Sequence, residues 1–216
     1  SIQKLKSMGV IFKSYSLSRA GVNPFKDYLS YKSICFVISQ CKPDIVIAYT
    51  AKPVIYAGMA MKHFPKISFF PLITGLGYGF TEGDGVKRKL IRQLMIILYR
   101  KGLKNSKSII FQNPDDEKLF YKLKIILRNM SSHIVHGSGV DLDLYPFSPL
   151  PKKPIFLMLA RLLIDKGVRE YAEAARIVKA QFPKAIFQLA GRLDSNPSTI
   201  SSNELNFWIN EGFIQY

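Results

Sequence analysis

Short apolar runs alternate along this chain with longer segments of helical periodicity. The runs suited to buried strands are Val10–Phe12 with Tyr15–Leu17, Ile45–Ala48, Ile67–Ile73, Ile109–Phe111, Ile134–Val135, Ile155–Leu159 and Ile186–Ala190. The periodicity predicts helices over Phe25–Gln40, Val54–His63, Val86–Leu103, Pro114–Leu123, Val168–Phe182 and Ile200–Glu211. Strands that alternate with helices predict an α/β fold built on a parallel, doubly wound sheet.

A proline-rich stretch divides this pattern. Pro146–Pro154 holds four prolines in nine residues, which cannot continue a helix or a central strand. We therefore expect a first domain over residues 1–148 and a second over residues 149–216, which is short for a nucleotide-binding domain. Ser1–Gly9 is typical of the end of a helix, and Phe213–Tyr216 of the start of a strand, so we expect both domains to be incomplete.

The net charge is the most informative feature of the composition. Among 216 residues, 31 Lys and Arg face 15 Asp and Glu, a net charge of +16, which favours a polyanionic partner. Cys35 and Cys41 lie six residues apart in a predicted helix, too far for a disulfide, and no spacing suits zinc. Without a disulfide framework, a cytoplasmic location is the default expectation. No apolar run approaches the ~20 residues of a membrane-spanning helix.

The strongest chemical signal is the stretch from Ala160 to Gly167. Arg161 and Lys166 follow the apolar run Ile155–Leu159 and precede a predicted helix that opens at Val168. A helix N-terminus presents free N–H groups and a positive dipole, and two cations beside it complete a pocket for a diphosphate. We interpret Arg161, Lys166 and Gly167 as a diphosphate-binding site.

Three further segments accompany it in order: Tyr49–Pro53, Ile73–Thr81 and Gly137–Asp141. Together with Arg-x4-Lys-Gly they resemble bacterial GT-B glycosyltransferases, specifically the retaining, nucleotide-sugar-dependent subgroup that builds lipopolysaccharide O-antigen, capsule or related lipid-linked glycans. The resemblance implies two Rossmann-like domains with doubly wound parallel sheets. It also implies truncation at both ends, because the first strand with its glycine loop and the C-terminal Glu-x7-Glu motif are absent. No catalytic residue is therefore assigned.

The resemblance further implies the reaction. A hexose or N-acetylhexosamine would pass from a nucleoside-diphosphate sugar to a polyprenyl-diphosphate-linked glycan, with Arg161 and Lys166 on the donor diphosphate. Fixed cations stabilise the charge on the leaving diphosphate without a metal, so neither a metal nor a cofactor is expected. Without the missing segment we expect the chain as given to be inactive.

A second group of candidates follows two predicted strands. Tyr49, Thr50 and Lys52 come after one strand, and Thr74, Gly75 and Gly77 come after another, at the edge of a parallel sheet where ligands bind. We expect them to face the cleft on the acceptor side, with Lys52 near an acceptor diphosphate. The glycines do not open directly into a helix, unlike a dinucleotide fingerprint.

The remaining acidic and imidazole groups do not predict a metal site. Asp141-Leu142-Asp143 matches the manganese motif of another transferase class, but Asp141 is better interpreted as the cap of a turn over Leu142–Tyr145. His63, His133 and His136 lack ligand spacing.

The segment Val86–Lys107 combines an apolar centre with basic ends. Such a helix suits the surface of an anionic membrane, with about 1 kcal/mol for each basic residue near it. The chain would then lie peripherally on the inner face of the cytoplasmic membrane. The residues assigned to this contact are Lys87, Arg88, Lys89 and Arg92. A core-packed helix with exposed charged ends explains the same pattern.

Two other functions stay open. The glycine loop within an α/β pattern also fits a fragment of a dinucleotide-binding oxidoreductase, although the compact fingerprint with a following acid is missing. The net charge of +16 also fits a non-catalytic basic domain on membrane or RNA. No nucleic-acid-binding module is recognisable, and we expect no nucleic-acid partner.

Overall fold

The chain divides into two compact units, Ser1–Val140 and Asp141–Tyr216. A computed structural model describes residues 2–17, 23–76, 80, 85–193 and 198–216, without the side chains of residues 87 and 88. The proline-rich stretch Pro146–Pro154 lies near the start of the second unit and is exposed throughout, without helix or strand.

The first unit is a four-stranded parallel sheet in the order β1-β2-β3-β4. Its elements are α1 (Ile2–Ser7), α2 (Pro24–Cys41), β1 (Ile45–Tyr49), α3 (Ala51–Ala60), a 3-10 turn (Met61–His63), β2 (Ser68–Ile73), α4 (Val86–Leu103), β3 (Ile109–Phe111), α5 (Pro114–Lys122) and β4 (Ser132–Ile134). Because all four strands are parallel, their carboxyl ends lie at one edge of the sheet.

The second unit is smaller. Its elements are β5 (Ile155–Leu159), a 3-10 turn (Ile164–Lys166), α6 (Val168–Gln181), β6 (Ile186–Ala190) and α7 (Ser202–Asn210). β5 and β6 pair in parallel, and Gln215 makes a parallel bridge to Gln188 of β6. α6 packs Val168, Ala172 and Ala175 into a core with Phe187 and Trp208.

The core of the first unit lies between the sheet and helices α3, α4 and α5. Phe111 and Tyr99 each meet the ring of Phe120 edge-on, with ring centroids 5.3 Å and 5.1 Å apart. α3 and α4 approach so closely that a Cβ on Gly58 would stand 1.8 Å from the backbone oxygen of Gly102. A glycine is therefore required where these two helices cross.

One predicted strand is wrong. Val10–Phe12 and Tyr15–Leu17 form no strand, and Ile11 is 84% exposed. A strand needs a neighbour to satisfy its backbone groups, and no strand of the described residues pairs with this stretch. Ser16 instead donates its backbone N–H to Ser33 Oγ of α2, at 3.0 Å.

Candidate functional site

The loop between β5 and α6 presents both predicted cations to solvent. Arg161 and Lys166 are exposed, whereas Leu162 and Leu163 between them are buried. The loop is also held by backbone hydrogen bonds on two sides. The N–H of Leu162 donates to Arg192 O at 3.2 Å, and Leu162 O accepts the N–H of Ile200 at 3.0 Å. Buried leucines and paired backbone fix the base of a loop whose charged side chains stay outside.

The loop ends in an open helix N-terminus. Gly167 adopts φ 77° and ψ 22°, a left-handed conformation that favours glycine, and α6 begins at the next residue. Among the described residues no side chain caps this terminus. Uncapped first-turn N–H groups next to exposed cations form a geometry that accepts an anion. Where the diphosphate site is expected, the structure thus offers a charged, uncapped helix start.

A second arginine, missed in the sequence analysis, lies beside this loop. Arg192 is exposed at the end of β6, and the backbone bond to Leu162 joins it to the loop. A Cβ on Gly191 would stand 1.9 Å from Ala160 O, so only glycine allows the two strand ends to meet there. The sequence does contain a signal for Arg192, because Gly191-Arg192 follows the apolar run of β6 as Ala160-Arg161 follows that of β5.

The carboxyl edge of the first unit gathers most of the acceptor-side candidates. Tyr49 is exposed at the end of β1, and Thr50 follows it with φ 68°. This left-handed conformation is a strained one for a β-branched residue, and such strain concentrates at functional sites. Thr74 and Gly75 are exposed after β2, with Gly75 at φ 141°. Gly77 lies outside the described residues.

Lys52 is tied into an ion pair. Its Nζ lies 2.6 Å from Asp27 Oδ1 of α2, and the side chains are 17% and 20% exposed. Burial raises the pKa of Tyr56, and the negative charge and hydrogen bond of Asp27 raise it further. The charge of Lys52 is thus balanced within the protein, and its predicted role toward an acceptor diphosphate stays a prediction.

Gln112 at this edge was not singled out from the sequence, whereas Ser138 lies in the segment Gly137–Asp141 that carries part of the resemblance. Gln112, directly after β3, donates Nε2–H to Ser138 Oγ at 3.1 Å, which links the ends of β3 and β4. Gly137 and Gly139 on either side of Ser138 have φ values of 76° and 71°. The Gly137–Asp141 segment therefore turns sharply beside the exposed edge.

The interpretation of Asp141 as a turn cap is confirmed. Asp141 Oδ1 accepts the backbone N–H of Asp143 at 3.1 Å, and Asp141 O accepts Leu144 N and Tyr145 N. Within the described ranges, no cluster of three or more His, Cys, Asp or Glu could hold a metal ion. Metal independence stays a prediction.

Helix α4 divides its apolar residues between two faces. Ile96, Tyr99 and Leu103 are buried in the core. The exposed stripe of α4 consists of Val86, Leu90, Leu94 and Ile97. Lys89 is exposed beside this stripe, whereas Arg92 lies over the ring of Phe80, 6.0 Å from its centroid. The side chains of Lys87 and Arg88 lie outside the described set.

In the described part of the chain, no helix is long and apolar enough to span a bilayer.

Comparison with known proteins gives one family and one clear relative. Residues 9–113 match the family described as Glycosyl transferase 4-like. Over 231 aligned residues the chain is 31% identical to the N,N'-diacetylbacillosaminyl-diphospho-undecaprenol alpha-1,3-N-acetylgalactosaminyltransferase of Campylobacter jejuni subsp. jejuni serotype O:2. The match covers 99% of this chain and 58% of that relative, so the chain spans little more than half of the relative's length.

Solved structures with a similar fold are more distant in sequence. TarM has a TM-score of 0.57 at 12% identity, over 87% of this chain and 36% of that one. The UDP-GlcNAc 2-epimerase of Methanocaldococcus jannaschii has a TM-score of 0.52 at 13% identity, over 99% and 61%. At such low identity these likenesses establish the fold alone.

Proposed function

We propose that the protein is a glycosyltransferase of GT-B fold, because residues 9–113 match the family described as Glycosyl transferase 4-like. It transfers a hexose or N-acetylhexosamine from a nucleoside-diphosphate sugar to a polyprenyl-diphosphate-linked glycan, in the assembly of a surface polysaccharide. The observation that carries this proposal is the β5–α6 junction, where Arg161 and Lys166 flank an uncapped helix start. The name of the Campylobacter relative supports the lipid-linked acceptor and makes N-acetylgalactosamine the first sugar to test.

The donor diphosphate sits at the start of α6. As the bond to the sugar breaks, negative charge grows on the leaving diphosphate oxygen. The first-turn N–H groups of α6 and the two exposed cations meet that charge in fixed positions, so they stabilise the transition state more than the ground state. Gly167 contributes through its left-handed conformation, which turns the chain from the 3-10 turn into the helix. Retention of the anomeric configuration without a metal is part of this proposal.

The acceptor sits at the carboxyl edge of the first sheet. Tyr49 and Thr74 offer exposed hydroxyl groups there, and the strained Thr50 fixes the turn between β1 and α3. Lys52 keeps this turn in place through its ion pair with Asp27, so its main contribution is to position the edge. Gly75 and Gly77 complete the acceptor side in this proposal.

The protein works at the inner face of the cytoplasmic membrane. Helix α4 carries an exposed apolar stripe with Lys89 beside it, and Lys87 and Arg88 belong to the same helix. An apolar stripe flanked by cations favours an anionic lipid surface, where each cation contributes about 1 kcal/mol. Such a position brings the active site to an acceptor that a polyprenyl chain anchors in the bilayer.

Binding of donors tests this function against its alternatives. The chain is titrated calorimetrically with UDP-, GDP- and dTDP-sugars, beginning with UDP-N-acetylgalactosamine, and in parallel with NAD and with a short RNA. We expect saturable binding of one nucleoside-diphosphate sugar that Arg161→Ala weakens. Preference for NAD would favour an oxidoreductase, and binding of RNA alone would favour a basic binding domain.

A further inference from the structure

A cavity lies in the first unit at the amino edge of the sheet, where the parallel strands begin. It has a volume of about 780 Å³ and opens between the 3-10 turn after α3 and the end of α4. Its polar wall includes Lys62, Lys101, Lys104 and Ser106, and its apolar wall includes Phe64 and Ile67. The lining is therefore cationic on one side and apolar on the other.

The segments that form this cavity carry positive charge and no acidic residue. The two segments that form it, residues 59–67 and 100–108, contain no Asp or Glu. Lys62, Lys101 and Lys104 are exposed, and in the described part of the chain none of them makes an ion pair. The same segments add Lys66 and Lys107 nearby. An anion that enters the cavity meets several cations and no repelling carboxylate from these segments.

One polar atom of the cavity wall has an unsatisfied hydrogen-bonding capacity. Ser106 Oγ is shielded from solvent, and in the described structure it has no hydrogen-bond partner. A buried hydroxyl without a partner costs stability, so such groups are rare. Ser106 lines the cavity, so a ligand bound there is the partner that the proposal below assigns to its hydroxyl.

The cavity is separate from the proposed acceptor site. Ile67 precedes β2 and Ser106 precedes β3, so both lie at the amino edge of the sheet, whereas Tyr49 and Thr74 lie at the carboxyl edge. Helix α4 connects the two edges, and its 18 residues span roughly 27 Å. The negative end of the α4 dipole favours lysines near its C-terminus, which explains in part why lysines cluster there. It does not account for the cavity or for Ser106.

We propose that this cavity binds a phosphate ester with an apolar substituent. The phosphate meets Lys62, Lys101 and Lys104 and accepts a hydrogen bond from Ser106, while the substituent lies against Phe64 and Ile67. This chemistry belongs equally to the headgroup of an anionic phospholipid and to a soluble phosphate ester. In either case α4 joins the bound ligand to the edge of the sheet where the acceptor is proposed to bind.

The test is calorimetric titration of the whole chain with two probes. One is inorganic phosphate, and the other is dihexanoylphosphatidylglycerol below its micellar concentration. We expect saturable binding of at least one probe. Tighter binding of the lipid than of inorganic phosphate supports the proposed site, and equal affinity for the two probes contradicts the role assigned to Phe64 and Ile67. Absence of saturable binding by both probes overturns the proposal.

Two variants locate the binding in the cavity. The double variant Lys101→Gln/Lys104→Gln is expected to bind the probe more weakly, by about tenfold for each lysine removed. This is the scale of a hydrogen bond to a charged group. The matched control is Lys152→Gln with Lys153→Gln, which removes the same charge from an exposed stretch of the second unit. Equal affinity of the two double variants overturns the proposal.

Ser106→Ala separates a ligand-binding serine from a structural one. Without ligand, removal of an unsatisfied hydroxyl is expected to leave the melting temperature unchanged or raise it. With saturating probe, the variant is expected to show a smaller rise in melting temperature than the parent chain. A rise equal to that of the parent contradicts the role assigned to Ser106.

Discussion

The crossing of α3 and α4 gives the sharpest prediction about stability. Intrinsic helix propensity alone predicts that Gly58→Ala stabilises the chain by about 1 kcal/mol, because Gly58 lies inside α3. The structure predicts the opposite. The new Cβ would stand 1.8 Å from Gly102 O and 2.9 Å from Phe69 Cε1, so the two helices must separate by more than an ångström.

That separation loosens the packing of Tyr99 and Leu103, which are almost fully buried on α4. Overpacking of this kind costs about 1–3 kcal/mol, and loss of the core contacts adds to it. We therefore expect Gly58→Ala to lower the free energy of unfolding in urea by ~2 kcal/mol or more. Gly85→Ala is the matched control, because its Cβ meets no described atom within 4 Å and its effect should stay within about 1 kcal/mol. A Gly58→Ala chain as stable as the parent would refute the helix crossing described here.

Three further predictions concern catalysis, membrane binding and pH. In a longer form of the protein that includes the Glu-x7-Glu segment, Arg161→Ala and Lys166→Ala are each expected to slow sugar transfer by ~10²-fold, the scale for loss of one donor to a developing oxyanion, with little change in stability. Turnover near that of the unsubstituted enzyme would make them ordinary surface charges. Sedimentation with anionic vesicles should be strong at low salt, weak at high salt and negligible with neutral lipid. Most of the binding to anionic vesicles should disappear when glutamine replaces Lys87, Arg88, Lys89 and Arg92. Binding that depends neither on lipid charge nor on these substitutions would contradict the membrane surface assigned to these residues. Burial raises the pKa of Tyr99 above its ordinary value of 10.0, so the folded state keeps a proton that the unfolded state loses, and stability should fall as pH rises above 10.0. In urea titrations at several pH values, Tyr99→Phe should reduce the fall of the unfolding free energy with rising pH. An unchanged dependence on pH would argue against the buried phenol of Tyr99 as its source.

The elements that could be predicted from the sequence are those whose signal is local. Helix α4 has the predicted bounds, Val86–Leu103, because its apolar spacing is continuous and the chain before it is rich in glycine. The strand, loop and helix around Arg161 follow from an apolar run that meets a helical period. Both signals lie within one continuous stretch of chain.

The parts that could not be predicted depend on distant partners. Val10–Phe12 has the composition of a strand but lacks a strand to pair with among the described residues. The ion pair of Lys52 with Asp27 joins residues 25 apart, and neither local pattern points to the other. The place of Arg192 beside the β5–α6 loop follows from the parallel register of β5 with β6, which fixes Gly191 against Ala160.

The central claim is that the start of α6 binds a nucleoside diphosphate. Its most direct test is a residue-resolved NMR titration of the isotopically labelled chain with UDP, GDP and dTDP, with NAD as the competing ligand. We expect saturable shifts of the backbone amides from Arg161 to Glu170, together with Arg192, for at least one diphosphate, and their loss in the Lys166→Ala chain. Shifts that spare these amides, or that Lys166→Ala leaves unchanged, would contradict it.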